Sequence, residues 1–404
     1  MFITRSNIDP TTTSFPQKHF GERTLIAFIA LLSAFIPLST DLYLPALPSM
    51  MEQYQVTEGV LNLTLIIFFI FYGLGLLFWG PLSDKYGRRP VLLIGLAIYI
   101  MASFLCSFSG SITELIIFRI FQAMGSGAVT AVATAMVKDI FDGRRRIVVL
   151  ATVQSMVLIA PAVAPVLGAM LLEVTTWQGV FLVLAGIGTV ALAGALFLTE
   201  TLHARFTGTV IGALGRLGVL LKNGRFTTML ALFSLTSVSS MAFVASSSYI
   251  YVAGFGLDEQ GFSYYFALNA MGLILAPLAF IFLSRRYDIR PIITGGYIII
   301  GMAGLAVILF GNAGPLAFAI SLLPATFCGS LIRAPGTNLM LEQQRQDTGS
   351  ASSLISCSSV LLGSAGMSLI SLGWSDVILV LGFLNAIIGL SCLIIWSAIS
   401  RRGG

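Results

Sequence analysis

Two charged residues stand where a charge is costly. Asp41 lies in "LSTDLYLPALP", residues 38–48, at the end of an apolar run that begins near Leu25. Arg119 opens "RIFQAMGSGA", residues 119–128, six residues past Thr113, where another such run begins. A charge at the centre of a bilayer costs about 3 kcal/mol or more, so ionisable residues inside spanning segments face the bundle interior, pair with one another and mark ion pathways. At ~1.5 Å of rise per residue, both residues lie ~10 Å below the same membrane boundary. Their side chains are expected to face a central cavity and to pair, directly or through water. Burial favours the neutral acid and a guanidinium favours the carboxylate, so a substrate or a conformational change that tips the balance loads or releases a proton. Pro45 cannot donate to the carbonyl of Asp41, four residues back, and Pro37 does the same to Ser33. Each leaves an acceptor open inside the run.

A third charge, Arg333, interrupts "GSLIRAPG" just before Pro335 and Gly336. Two readings stay open for it: a side chain that snorkels or pairs with Glu342, or a contact for an anionic group of a substrate. Other polar or aromatic side chains inside apolar runs form a candidate substrate cavity: Tyr43, Asn62, Gln122, Gln154, Tyr249, Tyr251, Tyr265, Asn269 and Asn338. Ser234, Thr236, Ser237, Ser239, Ser240 and Ser246–Ser248 add hydroxyls in one segment. Such a surface suits small amphipathic compounds, although serines also simply pack helices. Enzyme chemistry has little to work with. His19 and His203 lie outside the apolar runs, and Cys106, Cys328, Cys357 and Cys392 form no CxxC pair. The residues offer no metal set and no catalytic triad. The expectation is a protein that is not an enzyme and has no cofactor, with protons as its coupling ion.

The elements that must hold these residues follow from composition. Of 404 residues, 57% are hydrophobic and 10% charged, and the mean hydropathy is +0.95. Soluble domains carry roughly 25% charged residues. Apolar runs of spanning length fall near 24–48, 58–81, 91–109, 113–137, 146–172, 176–198, 226–252, 260–283, 291–311, 314–340, 350–372 and 375–399. Solid blocks of this kind argue against a β-barrel, whose strands alternate over ~10 residues. Of the 22 Lys and Arg, 20 fall on the termini and on the connections that share their side; Arg119 and Arg333 lie within runs. The opposite loops carry only acids, such as Glu52, Glu58, Glu173, Asp258 and Glu259. By the positive-inside rule both termini are cytoplasmic. The net charge of +5 then reports topology, not nucleic-acid binding. Residues 1–23 are polar and include Pro10, Pro16, Lys18 and Arg23; they read as a disordered cytoplasmic tail, not a cleavable signal peptide.

The chain also repeats itself. "LSDKYGRRP", 82–90, aligns without a gap to "LSRRYDIRP", 283–291, an offset of 201 residues in a chain of 404. Two duplicated six-span halves would produce this, as in many transporters: 24–198 and 226–400, joined by a cytoplasmic linker over 199–225.

"GPLSDKYGRR", 80–89, matches the G-x-L-[SA]-D-[KR]-x-G-[RK]-[RK] loop motif of the major facilitator superfamily, with Gly80, Asp84, Gly87, Arg88 and Arg89 in place. The glycines permit a tight turn. Asp84 can pair with Arg88 and face the positive N-terminal end of another helix, a role that "TGSASS", 348–353, could fill. The residues after Arg119 resemble the family's fourth-span motif. "APAVAPVLGA", 160–169, resembles its antiporter motif, with Pro161, Pro165 and Gly168 kept and alanine at two glycine positions. "TDLYLPALP" and "KDIF", 138–141, are similar to the bicyclomycin/chloramphenicol-resistance (Bcr/CflA) branch of drug:proton antiporters. The resemblance implies an all-α membrane protein with twelve transmembrane helices in two pseudo-symmetric six-helix bundles, the major facilitator fold. It implies a monomer in the bacterial inner membrane, in contact with the lipid bilayer and a small-molecule substrate and with no nucleic acid. The activity would be proton-driven export of chloramphenicol- or bicyclomycin-like drugs by alternating access. Export of an endogenous metabolite or siderophore, an anionic one included, and proton-coupled import are the alternatives.

Overall fold

The computed structural model describes residues 17–202, 210–344 and 348–402. The first apolar run is broken into three helices, α1 (Glu22–Ser33), α2 (Phe35–Asp41) and α3 (Leu47–Tyr54), with a 3₁₀ turn over Leu44–Ala46 between the last two. The remaining helices of the first half are α4 (Glu58–Tyr86), α5 (Arg88–Ser107), α6 (Ile112–Ile140), α7 (Gly143–Val174) and α8 (Trp177–Phe197). After α9 (Val210–Leu221) come α10 (Gly224–Ser248), α11 (Glu259–Leu283), α12 (Ile289–Phe310), α13 (Pro315–Glu342), α14 (Thr348–Ile370) and α15 (Val377–Arg402). Eleven helices among the described residues are long and apolar enough to cross a membrane, and the pair Glu22–Ser33 and Phe35–Tyr54, bent by 42°, supplies a twelfth span.

Helix ends follow the polar residues between runs. Ser111 Oγ accepts from the backbone N–H of Glu114, and the Glu114 carboxylate accepts from that of Gly110, a reciprocal cap that satisfies otherwise orphaned donors. Glu114 therefore stays at the helix end. Asp258 caps α11 through Gly261 N–H. Of the tail assigned to residues 1–23, residues 1–16 lie outside the described part. Gln17 docks on the end of α8 through both the backbone N–H and the hydroxyl of Thr199. The linker assigned to 199–225 contains α9, a helix the hydropathy pattern did not separate from its surroundings. It packs against α4, α10 and α14 at the basic end of the bundle.

The packing order shows the internal symmetry. In the first half α4 packs on α6, α5 on both α6 and α8, and α1 and α2 on α7. In the second, α11 packs on α13, α12 on both α13 and α15, and α10 on α14. Between halves the contacts are α4 with α14 and α7 with α11, which exchange under the same pseudo-twofold. Backbone approach repeats too. A Cβ on Gly168 of α7 would lie 2.0 Å from the Leu42 carbonyl oxygen, and one on Gly366 of α14 would lie 2.1 Å from that of Val238 on α10. Only glycine lets helices approach this closely.

The seam between halves is fastened at its acidic-loop end. Asn62 on α4 donates to Ser371 Oγ at the end of α14 (2.8 Å), and Tyr249 of the second half donates to Asn62 Oδ1 (3.4 Å). Gln260 and Glu173 bond across α11 and α7. Deeper in the seam, a cysteine at position 73 would place its Cβ 3.6 Å from the sulfur of Cys357, within reach of a disulfide. Gly73→Cys is therefore expected to cross-link on mild oxidation. With a protease site placed between residues 203 and 209, the cleaved halves should stay together on a non-reducing gel. Halves that separate as readily as in the parent protein would contradict this packing.

Candidate functional site

The first span breaks where its prolines say it must. Pro45 removes the donor for the carbonyl of Asp41, and α2 ends at Asp41; Pro37 does the same for Ser33, and α1 ends there. Leu42 and Tyr43 are non-helical. The turn Leu44–Ala46 packs against α7 of its own half and α11 of the other, and α3 packs on the π-helical turn Tyr249–Gly254 that ends the seventh span. The break thus lies in the seam between halves. Asp41 sits at its edge, 6% exposed, and its carboxylate accepts from the Thr40 hydroxyl (2.9 Å).

Arg119 is not its partner, contrary to the expectation from depth alone. The guanidinium is fully buried and donates to neutral acceptors: the carbonyls of Ser39 (2.9 Å) and Thr64 (3.3 Å), Gln122 Oε1 (2.6 Å) and the Tyr43 hydroxyl (3.4 Å). Its carbon lies 4.1 Å from the ring centre of Phe68 and 4.8 Å from that of Tyr43, so aromatic faces supply further attraction. None of the four ion pairs among the described residues contains Asp41 or Arg119. The physical reason is saturation. Carbonyls from spans one and two, a glutamine and a phenol occupy most of the fork.

The nest continues outward. Gln122 donates to Ser103 Oγ (2.8 Å), and Ser39 and Tyr99 share a bond of 2.7 Å. Ser39 gives its only proton to the Phe35 carbonyl, so the Tyr99 hydroxyl is the donor of the shared bond. The same logic orders Arg119→Tyr43→Thr64, because Thr64 donates to Leu61. Four spans are tied by one polar cluster. Gly168 closes the other side of the break, its Cα packed on the Leu42 carbonyl. Pro161 and Pro165 lie within α7 just before it. The pseudo-symmetric contact, Gly366 on Val238, places Ser237 where the first half has Asp41.

The remaining cavity candidates divide. Tyr43, Asn62, Gln122, Tyr249, Tyr251 and Asn269 are buried among protein atoms: the first and third serve Arg119, and Asn62 and Tyr249 fasten the seam. Asn269 bonds the Tyr265 carbonyl, and Tyr251 stacks on Tyr265 at 5.2 Å. In this arrangement those six do not line open space. Gln154 and Asn338 are exposed and Tyr265 is partly so. Sequence does not distinguish a cavity wall from a buried polar contact, because both put a polar residue in an apolar run.

At the basic end, Arg88 organises the loop motif. It is 6% exposed and bonds Asp84 (2.5 Å), Asp139 (2.8 Å) and the Ser83 hydroxyl (2.7 Å). Asp84 meets Arg88 as expected. Glu200, beyond α8, accepts from the backbone N–H groups of Arg88 and Arg89 and so caps α5 with a negative charge at its positive end. Gly87 adopts φ +111°, and a Cβ there would meet Glu200 Oε2 at 2.5 Å; glycine is required on both counts. Gly80 has open space around it. Asp139, within "KDIF", and Glu200 were not assigned roles from sequence. A carboxylate one or two residues from the basic end of a span was the available signal.

Twelve helical spans with a polar break at the seam of two pseudo-symmetric halves are the architecture of a membrane-embedded transporter of small molecules. The sequence profile of the Major Facilitator Superfamily matches residues 29–367, and the chain belongs to that family. It is 29% identical over 389 residues to the uncharacterized MFS-type transporter YdgK of Bacillus subtilis (91% of this chain, 94% of the relative). It is 29% identical over 392 residues to a chloramphenicol resistance protein of Pseudomonas aeruginosa (93% of each). A bicyclomycin resistance protein homolog of Haemophilus influenzae is 25% identical over 269 residues (65% and 66%). These relatives support the likeness to the Bcr/CflA branch. The fold matches a crystal structure of the nucleoside transporter NupG with a TM-score of 0.72 at 13% identity, over 93% of this chain and 99% of that one.

The nest makes a stability prediction that separates it from an ion pair. Arg119→Ala strands several buried acceptors and is expected to cost at least ~3 kcal/mol. Asp41→Asn loses no ion pair and keeps an acceptor for Thr40, so it should cost under ~1 kcal/mol. Thermal unfolding of the purified proteins in detergent tests both; equal large losses would restore the ion pair.

Proposed function

We propose that the chain is a proton-coupled antiporter that exports small amphipathic drugs of the chloramphenicol or bicyclomycin kind by alternating access. It works as a monomer in the bacterial inner membrane, with both termini cytoplasmic and no cofactor beyond the coupling proton. The observation that carries this reading is Asp41: a buried acid without a cation, at the edge of a helix break that touches both halves. A carboxylate sealed from water without a counter-ion costs several kcal/mol. The closed packing around Asp41 therefore suits the protonated acid, and releasing the proton requires water to reach the break.

The supports of that break link the proton to the motion. Arg119 holds the Ser39 carbonyl two residues before Asp41, and Gly168 abuts the Leu42 carbonyl one residue after it. Hydration and charging of Asp41 push on span one between two fixed points, and the turn Leu44–Ala46 passes the displacement to α11 in the other half. Drug leaves as the proton enters. The membrane potential adds roughly 2.3 kcal/mol per 100 mV for each charge moved. Chloramphenicol and bicyclomycin resistance are named for relatives, and they set the first compounds to try.

Inside-out vesicles with an imposed proton gradient test the coupling. Chloramphenicol or bicyclomycin should collapse the gradient with the parent protein and not with Asp41→Asn. Gly168→Ala, which adds a Cβ against the Leu42 carbonyl, should slow the response at least ~10-fold without removing the acid. Full response from Asp41→Asn would take the proton away from this residue. No response from the parent protein to either drug would remove the drug-export reading.

A further inference from the structure

Arg333 has no use in the scheme above, and its surroundings are unlike those of Arg119. It is exposed. No ion pair among the described residues includes it. The partner that sequence suggested, Glu342, is instead engaged by Asn338 at 3.0 Å. Its electrostatic neighbour is the Tyr72 hydroxyl of α4, a buried residue of the other half.

Its level in the seam can be fixed from two glycines. Gly329, Arg333 and Gly336 recur at helical spacing on one side of α13. Gly329 faces Ser240 of α10, its Cβ position 3.9 Å from that hydroxyl, and Gly336 packs on Phe233. The helices are antiparallel, so Arg333 stands at the level of Thr236, in the hydroxyl-rich stretch of the seventh span. Ser240 and Thr236 spend their protons on backbone carbonyls of their own helix. A guanidinium fork with no acceptor among the described residues, set in the seam between the halves, matches a carboxylate in shape and charge.

We propose that Arg333 anchors a carboxylate on the transported molecule, whose apolar or aromatic body lies against the Tyr72 side of the cavity. The natural cargo is then an amphipathic organic anion, and neutral drugs are carried without that contact. The inference rests on the export reading and names its substrate class. It also changes the electrical stoichiometry. Exchange of a neutral compound for one proton moves one charge, whereas exchange of a monoanion for one proton moves two in the same sense.

Chloramphenicol and its succinate monoester form a matched neutral and anionic pair. Binding of each to the purified full-length chain in phosphatidylcholine nanodiscs tests the inference, with thermal unfolding as a check on every variant. The parent protein should bind the ester at least ~10-fold more tightly, as a charge-assisted bidentate contact implies. Arg333→Gln should bring the ratio to about one, and Arg333→Lys, which keeps the charge without the fork, should fall between. A parent protein with no preference for the ester, or a preference that survives Arg333→Gln in a folded variant, overturns the proposal. Proton flux on addition of each compound keeps the two readings apart. Flux with chloramphenicol but no Arg333-dependent preference leaves export standing and the anion site refuted. Arg333-dependent binding of the ester without flux supports the site and refutes proton-coupled export.

Discussion

The first half of the molecule is organised around a positive charge that has been taken out of water without a negative one. Arg119 survives full burial because its fork is nearly saturated by carbonyls, an amide and a phenol, and because aromatic faces surround it. A guanidinium tolerates this better than an ammonium, being planar, delocalised and more weakly hydrated. The acceptors come from three spans. Satisfying the one cation therefore fixes spans one, two and four relative to each other, and through Gln122, Ser103 and Tyr99 it fixes span three as well.

Because Arg119 is spent in this way, Asp41 is left as the chemically available group. Its neighbour carbonyls are held by Arg119 and by Gly168, while its own peptide carbonyl has lost its helical donor to Pro45. The acid sits at the break in span one, between those two supports. The second half repeats the joint in form, with glycine on Val238 and a π-helical turn at Tyr249–Gly254, but has Ser237 in place of the acid. On the proposed mechanism two similar bundles divide the work: one carries the ionisable group, and the other supplies the surface against which it acts.

The spans were legible because hydrocarbon imposes a length and forbids charge: every run but the first, which breaks at its prolines, became a helix within a few residues of its expected ends. The halves were legible from one repeated loop. A direct pair of Asp41 with Arg119 does not form because depth fixes only one coordinate, and rotation about each helix decides whether two residues at one level meet. Burial of Tyr43, Asn62 and Gln122 was hidden for a related reason, since a polar residue in an apolar run can face a neighbour as easily as a cavity. Glu200 escaped notice because its partners are backbone N–H groups of α5, which every sequence possesses. The helix α9 escaped because an amphipathic segment at the membrane surface has neither the length of a span nor the composition of a linker.

The order of residues around Arg119 also bears on how the protein is made. Ser39, Tyr43, Thr64 and Phe68 all precede it in the chain, and Gln122 follows on the same helix. When the fourth span emerges from the ribosome, the acceptors for its arginine are already synthesised and already in the membrane. The cation can move from the insertion machinery directly into a prepared site, without waiting in lipid for later segments. The first four spans thus carry every hydrogen-bond acceptor of the arginine, and only the aromatic face of Phe181 in the sixth span is added later.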